Sequence, residues 1–260
     1  MLTYIKELIR ARELLWTWTM RDFKVRYNQS FLGAAWAILQ PLSLMATFSV
    51  IFSVFIKVPT DDVPYPIFAY VALLPWTFFT NSLNFAIPSL VGNMDLVGKI
   101  YFPREILPLS AILVGFIDFL IASLIFIVML IVYHIPVGWT AALAPLVFAI
   151  QLILIFGISL LASAINVFYR DVRFIIPLIL QIWMYVSPVI YPATLVPEIL
   201  RPLYFLNPMA TVIDTYRRLL LHNQMPDWPY LGLAALVSIA LLTFAYRYFK
   251  QAERVFADLI

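Results

Sequence analysis

The sequence has 260 residues, of which 63% are hydrophobic and only 12% are charged. A soluble domain has about 25% charged residues, so this chain holds more apolar surface than a water-soluble core can bury, and lipid is its expected solvent. The lack of cysteine excludes disulfides, thiolate metal sites and a cysteine nucleophile, and a net charge of +3 is too small to indicate nucleic acid binding.

The N-terminal stretch, residues 3–27, has the pattern of an amphipathic helix. Apolar side chains recur at steps of three and four, and basic side chains fall between them. A basic helix that carries tryptophan is typical of a segment lying in the headgroup plane of a membrane. Charged residues occur throughout the first 13 positions, so a cleavable signal peptide is not expected. The pattern fits a plain anchor and a functional surface equally well.

Six segments are apolar over a length that can cross the roughly 30 Å of hydrocarbon in a bilayer. They run over 33–56, 66–91, 107–133, 141–168, 174–190 and 228–246. Prolines inside or near them predict kinks, because neighbouring helices can satisfy the freed carbonyls; these are Pro41, Pro75, Pro88 and Pro145. With a cytoplasmic N-terminus, 13 of the 17 basic residues lie inside, so both termini are expected in the cytoplasm. The expected fold is one all-α, six-span membrane domain over 1–260, with an interface helix at 1–30, spans one to five at 33–190 and a cytoplasmic tail at 247–260.

Residues 92–106 form a cytoplasmic segment between the second and third predicted spans. They mix charged and apolar side chains, which suits either a plain loop or a short helix that docks on a partner. The stretch GNMDLVGK within it is not a P-loop. Five residues separate its glycines where the motif needs four, and Ile100 stands where Ser or Thr would bind magnesium. The chain is therefore not expected to bind ATP itself.

Two further connections have distinct compositions. The turn at 169–173 brings Arg170, Asp171 and Arg173 together after 51 residues without an acidic or basic side chain, and its arginines hold that turn inside. The segment 191–227 is the large outside connection. Its five prolines separate two apolar pieces that are too short to cross, which predicts two short helices dipping into the outer leaflet.

Asp118 is the one acidic residue inside a predicted span, near the middle of the bilayer. Such a residue is a functional candidate, but helix packing with a hydrogen bond to Gln151, Asn166 or Gln181 explains it equally well. The two histidines, His134 and His222, lie outside without carboxylates at metal-ligand spacing, so no metal site is expected.

Aromatic residues make up 16% of the chain. Most are typical of the belts found at the two membrane–water interfaces. The alternative is a pore wall for sugars, whose apolar C–H faces stack on aromatic rings while their hydroxyl groups stay hydrated.

Five stretches, in this order and spacing, resemble one family of transporters. They are RDFKVRYNQSFLGAAWAILQPL (21–42), LLPWTFFTNSL (73–83), KIYFPREILPL (99–109), NVFYRDVRFIIPLILQIWMYVSPVIYP (166–192) and LNPM (206–209). Together they resemble the membrane subunit of type-2 ABC exporters. The branch is that of the polysaccharide-export permeases, which includes the O-antigen and teichoic acid exporters.

The resemblance implies a transport subunit, not an enzyme. Two copies would form a pathway across the bacterial inner membrane for a glycan on polyprenyl diphosphate, with two copies of a separate ABC ATPase that binds ATP and Mg²⁺. The ATPase would couple to Lys99, Ile100, Tyr101, Phe102, Pro103, Arg104 and Glu105. The substrate entrance would hold Lys24, Arg26, Arg170 and Arg173, whose cations pair with phosphate. The channel aromatics would be Trp36, Trp76, Phe79, Trp183, Tyr185 and Tyr191, and the outer gate would contain Glu198, Arg201, Asn207, Arg217 and Arg218.

Three other classes of protein are alternatives. A type-2 ABC permease for capsule, teichoic acid or a small lipid or drug would have the same fold. A secondary transporter would show inverted repeats and interrupted spans that meet at polar groups in the midplane. A membrane glycosyltransferase or phosphatase would need clustered carboxylates or histidines at one face, whereas the acidic residues here are scattered.

Overall fold

A computed structural model of the protein describes residues 11–28, 30, 32–60, 63–99 and 102–256, with the side chains of 97–99 left undescribed. Within these ranges the protein is built from helices and contains no β-strand, which confirms the predicted all-α class. The first ten residues of the predicted interface helix lie outside the described part of the chain.

Ten α-helices follow one another along the described chain. They are α1 (Arg12–Tyr27), α2 (Trp36–Phe48), α3 (Tyr65–Ser89), α4 (Met94–Lys99), α5 (Ile106–Val132), α6 (Ala144–Phe168), α7 (Val172–Val186), α8 (Arg201–Tyr204), α9 (Pro208–Leu220) and α10 (Trp228–Phe256). A short tight turn at Gly33–Ala35 leads into α2, and a wider π-type turn at Ser49–Phe55 continues it, so that 33–55 form one apolar helical run. Another tight turn, Trp139–Leu143, leads into α6.

Four helical runs are long and apolar enough to cross a membrane by length and composition: Gly33–Phe55, Ile106–Val132, Trp139–Phe168 and Trp228–Phe256. The chain is therefore a multi-pass membrane protein. The second and fifth predicted spans correspond to α3 and α7. Neither helix is among these four runs, for different reasons. The 25 residues of α3 include tryptophan, tyrosine, proline and asparagine, which are less apolar than the aliphatic residues, and α7 has only 15 residues.

The centre of the protein is α3, which packs against α2, α5, α6, α7 and α9. Its residues from Ile67 to Phe79 are all buried. Because protein shields α3 from lipid, its polar groups find protein partners: the Tyr70 hydroxyl donates to the Ala122 carbonyl at 3.0 Å, and the Gln151 amide donates to the Pro75 carbonyl at 2.7 Å. The helix α3, whose polar and aromatic residues suit lipid poorly, is thus the one that the other helices surround.

The C-terminal helix α10 packs along α6 and runs to Phe256, beyond the predicted end of the last span at 246. The two helices approach closely at Gly157, where a Cβ atom would lie 3.1 Å from the backbone nitrogen of Leu242. Residues 247–256, the described part of the predicted cytoplasmic tail, therefore continue the last helix. Phe249 and Phe256 are buried in a hydrophobic cluster to which Phe102 also belongs.

The described half of the interface helix differs from the predicted amphipathic pattern. In α1, Asp22 and Arg26 bond to α5, whereas Trp16 and Val25 are exposed. The face that packs on the protein is therefore partly charged, because its partners on α5 are a serine and an aspartate.

The two least-buried long apolar elements are α2 and α7. Each contains a single buried residue, Pro41 in α2 and Leu180 in α7. Most of the exposed surface of α7 is apolar and is covered by no described part of this chain, whereas the exposed side of α2 includes Gln40, Ser43 and Thr47.

Candidate functional site

An ion pair joins the end of α1 to the middle of α5. The Arg26 guanidinium lies 2.7 Å from Asp118 Oδ2, and the Tyr27 hydroxyl donates to Asp118 Oδ1 at 2.7 Å. The pair is largely shielded, with side-chain exposures of 16% for Arg26 and 10% for Asp118. Asp118 is twelve residues into α5, about 18 Å along the helix axis. A charged pair therefore lies at depth in one of the helices long enough to cross the membrane.

The predicted partners of Asp118 are wrong. Gln151 and Asn166 instead donate to backbone carbonyls of α3, and Gln181 is exposed on α7. The carboxylate is held by a cation from the N-terminal helix because the end of α1 lies against α5 at this height. Without this partner, Asp118 would place an isolated charge inside the membrane; the ion pair with Arg26 avoids that cost.

Tyr27 and Asp22 add further polar contacts along α1. Burial, and then the hydrogen bond to Asp118, raise the pKa of the Tyr27 phenol to about 12, so the group stays protonated and remains a donor. Asp22 Oδ2 accepts from the Ser110 hydroxyl at 2.9 Å, and Arg21 bridges Asp22 and Asn93. The interface helix is therefore fastened to α5 at two heights, directly before the chain enters the first apolar run.

A polar groove lies beside this ion pair. One cavity of about 420 Å³ is bounded by α1, α2, α3 and α5, and its lining includes Trp36, Gln40, Asn81 and Asn84. A second cavity of about 240 Å³ lies next to it, and its lining includes Asp22, Ser89 and Asn93. The Arg26 guanidinium, stacked 3.7 Å above the Phe85 ring, borders both cavities. We call the two cavities together the polar groove.

The predicted coupling segment is attached to the C-terminal helix. Arg104 donates to the Glu253 carbonyl at 2.5 Å, and Glu105 lies 2.5 Å from Lys250, which also pairs with Glu253. Phe102 is buried, and Pro103 is half-buried. Lys99 ends α4, while Ile100 and Tyr101 lie outside the described residues.

Sequence reasoning missed Lys250 and Glu253, because it placed them in a tail. The apolar spacing of Phe249, Ala252 and Phe256, at steps of three and four, is the signal that would have extended the helix over them.

A buried arginine organises the predicted outer gate. The Arg217 guanidinium donates to the carbonyls of Pro188, Val189 and Tyr191 at 2.5 to 3.0 Å and lies 3.6 Å from the Phe68 ring centre. Burial lowers the pKa of Arg217 to about 9, against the opposing field of Asp214, so the side chain is still a cation at neutral pH. Arg217 thus ties α9 to the chain that follows α7.

The other predicted gate residues have different surroundings. Asn207 caps α9 by accepting from the Met209 backbone nitrogen, and it also bonds to Ser187 and Trp183. Arg218 pairs with Asp214 at 2.6 Å. Arg201 and Glu198 are 3.6 Å apart, and the Glu198 side chain is 89% exposed.

The predicted entrance cations differ in their surroundings. Lys24, Arg170 and Arg173 are exposed, and Arg173 lies over the ring of its neighbour Phe174. Arg26 is the exception, because its guanidinium is paired with Asp118 and lies over the Phe85 ring.

The predicted channel aromatics differ in how far they are buried. Trp36 and Tyr185 are exposed, and Trp183 and Tyr191 are half-buried. Trp76 and Phe79 lie in the hydrophobic core, so they present no surface to a substrate in this conformation. They are buried because they occupy the middle of α3, which other helices surround.

The comparison with known families agrees with this architecture. A family model described as "ABC-2 type transporter" matches residues 13–221. This match spans the chain from α1 to the end of α9, well over half of its length. The chain belongs to the ABC-2 type transporter family. The resemblance found in the sequence is thereby confirmed: this ABC-2 permease is a transport subunit, and its family implies an ABC ATPase as partner.

Similar proteins among the curated relatives cover almost the whole ABC-2 permease. It is 32% identical over 263 aligned residues to the "O-antigen export system permease protein RfbA" of Myxococcus xanthus, with 100% of both chains covered. A protein of the same description from Klebsiella pneumoniae is 28% identical over 253 residues, with 95% of each chain covered. The "Polysialic acid transport protein KpsM" of Escherichia coli is 19% identical over 242 residues, with 90% of this chain and 91% of that one covered.

Proposed function

We propose that this chain is the permease subunit of an ATP-driven exporter that moves an O-antigen-like polysaccharide across the bacterial inner membrane. The substrate is proposed to be carried on polyprenyl diphosphate. The observation that carries this proposal is the 32% identity over the full length of both chains to a protein named as an O-antigen export permease. Export of capsule is a second candidate, supported by the weaker similarity to a polysialic acid transport protein.

The proposed topology has six spans with both termini in the cytoplasm. Besides the four long apolar runs, α3 and α7 would cross as the second and fifth spans. Support for α3 comes from its 25 residues, about 37 Å of helix. The 15 residues of α7 reach about 22 Å, and the residues that follow it would complete the crossing. The orientation rests on the 13 of 17 basic residues that this arrangement places inside.

The proposed assembly contains two copies of this chain and two copies of an ABC ATPase. One copy has too few spans to enclose a wide conduit, and a two-fold axis would close one between two copies. The exposed, mostly apolar surface of α7 is suited to that contact. Arg170 and Arg173, at the cytoplasmic start of α7, are exposed and would meet the phosphates of the lipid carrier first.

The proposed mechanism is conformational coupling. Glu105 directly precedes α5, so a movement that the ATPase imposes on residues 99–105 would pass into that helix. Further along α5, Asp118 holds Arg26 and Tyr27 at the end of α1. The chain then enters the apolar run that begins at Gly33. Such a path would move α2 when the ATPase acts and open a lateral entrance for the lipid carrier.

Complementation tests the proposal. The gene would be deleted from its native host, and surface polysaccharide would be compared with and without the plasmid-borne chain by electrophoresis of extracted glycolipids. We expect polymer to accumulate inside the deletion strain and to return to the surface with this chain and an intact ATPase. Surface polymer that is unchanged by the deletion would refute a role in its export.

A second arm separates the entrance residues from the fold. Replacing Arg170 and Arg173 together by Gln should lower export while leaving membrane insertion unchanged. Unchanged export in that variant would mean that the arginines of the 169–173 turn only fix its orientation in the membrane. Export by this chain in liposomes without any ATPase would favour a secondary transporter instead.

A further inference from the structure

We infer that the polar groove beside Asp118 is a contact site for the uncharged, hydroxyl-rich sugar part of the transported glycan, and not for its phosphates. This inference rests on the proposed function and adds a substrate contact to it. Three features of the lining carry it: its amide groups, its charge and its exposed aromatic rings.

The amide groups come from the two helices that face each other across the groove. Asn81 donates to the Gln40 side-chain oxygen at 3.3 Å, and both belong to apolar helical segments. Asn84, one turn further along α3, is exposed and makes no hydrogen bond within the described part of the chain. An amide facing hydrocarbon is costly, because lipid offers no partner for its donors or its acceptor. These side chains therefore call for a polar occupant.

The charge of the groove argues against phosphate. Its lining contains one cation, Arg26, and two carboxylates, Asp22 and Asp118, in the described residues. The cation is already bonded to Asp118 at 2.7 Å, and Asp22 is paired with Arg21. Both carboxylates are thus paired with arginines, and the lining within the described residues offers a diphosphate no unpaired cation. Sugar hydroxyl groups both donate and accept hydrogen bonds, as amides and paired carboxylates require.

Two aromatic rings at the groove offer apolar surfaces to the C–H faces of a sugar ring. Trp36 is 52% exposed and Phe85 is 46% exposed, both on segments bordering the larger cavity. The Trp36 indole nitrogen donates to the Ser30 hydroxyl at 3.1 Å, which fixes the ring. Arg26 covers one face of Phe85. The C–H faces of a sugar ring can stack on such surfaces, and a volume of about 420 Å³ is within the range of small-ligand sites.

The test uses the absence of cysteine from these 260 residues, which lets labelling of this chain, separated from its ATPase on a gel, report on one introduced thiol. Asn84→Cys would be expressed with its ATPase partner carrying a hydrolysis-deficient substitution, so that substrate stalls in the complex. The rate of labelling by a small, charged methanethiosulfonate reagent would be measured in two strains, one making the glycan and one unable to start its synthesis. A single symmetric peak in size-exclusion chromatography, with the ATPase still bound, would confirm that the Asn84→Cys variant is folded and assembled.

We expect efficient labelling without glycan and about tenfold slower labelling with it, which corresponds to a ligand present at roughly nine times its dissociation constant. Leu124→Cys, at an exposed apolar position of α5, should stay unlabelled in both strains. Glu198→Cys in the outer segment should label equally in both.

Three results would overturn the inference. Equal labelling of Asn84→Cys in both strains would mean that the groove holds water but no glycan. A disulfide formed between two Asn84→Cys chains would mean that a second copy covers the groove. No labelling in either strain would mean that lipid fills it. Failure of the unmodified chain to restore export would instead overturn the proposed function, so the two failures are distinguishable.

Discussion

Replacing Arg26 by Gln should destabilise the protein far more than the same change at Arg21, five residues earlier in the same helix. Removing one partner of a shielded ion pair leaves the other charge uncompensated, which typically costs 3–5 kcal/mol. Tyr27 would still donate to Asp118, so we expect the lower end of that range, about 3 kcal/mol. Arg21 is 43% exposed where it pairs with Asp22, and a pair of that kind contributes about 0–1 kcal/mol.

Thermal unfolding of the exporter complex in lipid nanodiscs, followed by tryptophan fluorescence, would measure this difference. For a chain of roughly this size, 3 kcal/mol corresponds to a fall in midpoint of about 6–12 °C. Asp118→Asn and the double variant Arg26→Gln with Asp118→Asn complete a double-mutant cycle, with an expected coupling of about 1–3 kcal/mol. Equal shifts for Arg26→Gln and Arg21→Gln, or a coupling near zero, would refute the assignment of Arg26 and Asp118 as a stabilising pair.

Three further substitutions test other contacts, each by the same thermal measurement. Arg217→Gln should cost about 3 kcal/mol, because it leaves buried carbonyls without a donor, whereas Arg218→Gln on the same helix should cost less than about 1 kcal/mol; the reverse order would contradict the buried arrangement. Gly157→Ala should cost about 1–3 kcal/mol because its Cβ would press on the α10 backbone, while Gly232→Ala, which meets nothing within 4 Å, should be neutral or slightly stabilising. Asn207→Ala removes an N-cap, for a loss of about 1 kcal/mol, and should also speed proteolysis of the outer segment; an unchanged cleavage rate would argue against that role.

Apolar run length predicted much of the helical architecture. The runs at 33–56, 107–133 and 141–168 overlap helices whose described bounds differ by only a few residues. Such runs are readable because a membrane requires a continuous apolar surface from each lipid-facing helix. The same reasoning says nothing about how the helices are arranged, which is why it did not show that α3 lies at the centre with Trp76 and Phe79 in its core.

The ion pair could not be predicted from spacing alone. Arg26 and Asp118 are 92 residues apart, and the N-terminal segment offers several other basic side chains. A lone acid in an apolar span does indicate that a polar partner exists. Which partner it is depends on where the end of α1 docks, and that is decided by contacts such as Asp22 with Ser110 that no periodic pattern records.

The resemblance drawn from five sequence stretches identified the family, and it grouped residues whose surroundings turn out to differ. Arg217 and Arg218 are neighbours in the sequence, yet one is fully buried among carbonyls and the other lies partly open beside Asp214. Sequence motifs preserve residue type and order. Burial depends on which side of a helix a residue occupies and on what covers that side.

The pairing of Arg26 with Asp118 also has a consequence for biogenesis. The arginine leaves the ribosome 92 residues before its partner, an interval of roughly 5–20 s at ordinary rates of synthesis. Until then the N-terminal helix lacks its carboxylate, and the aspartate afterwards enters the bilayer within a strongly apolar segment at a cost of about 2.5–3.5 kcal/mol. Docking of the first helix is thus postponed until the third predicted span is inserted. A truncated nascent chain that ends before residue 118 should leave that helix accessible to protease.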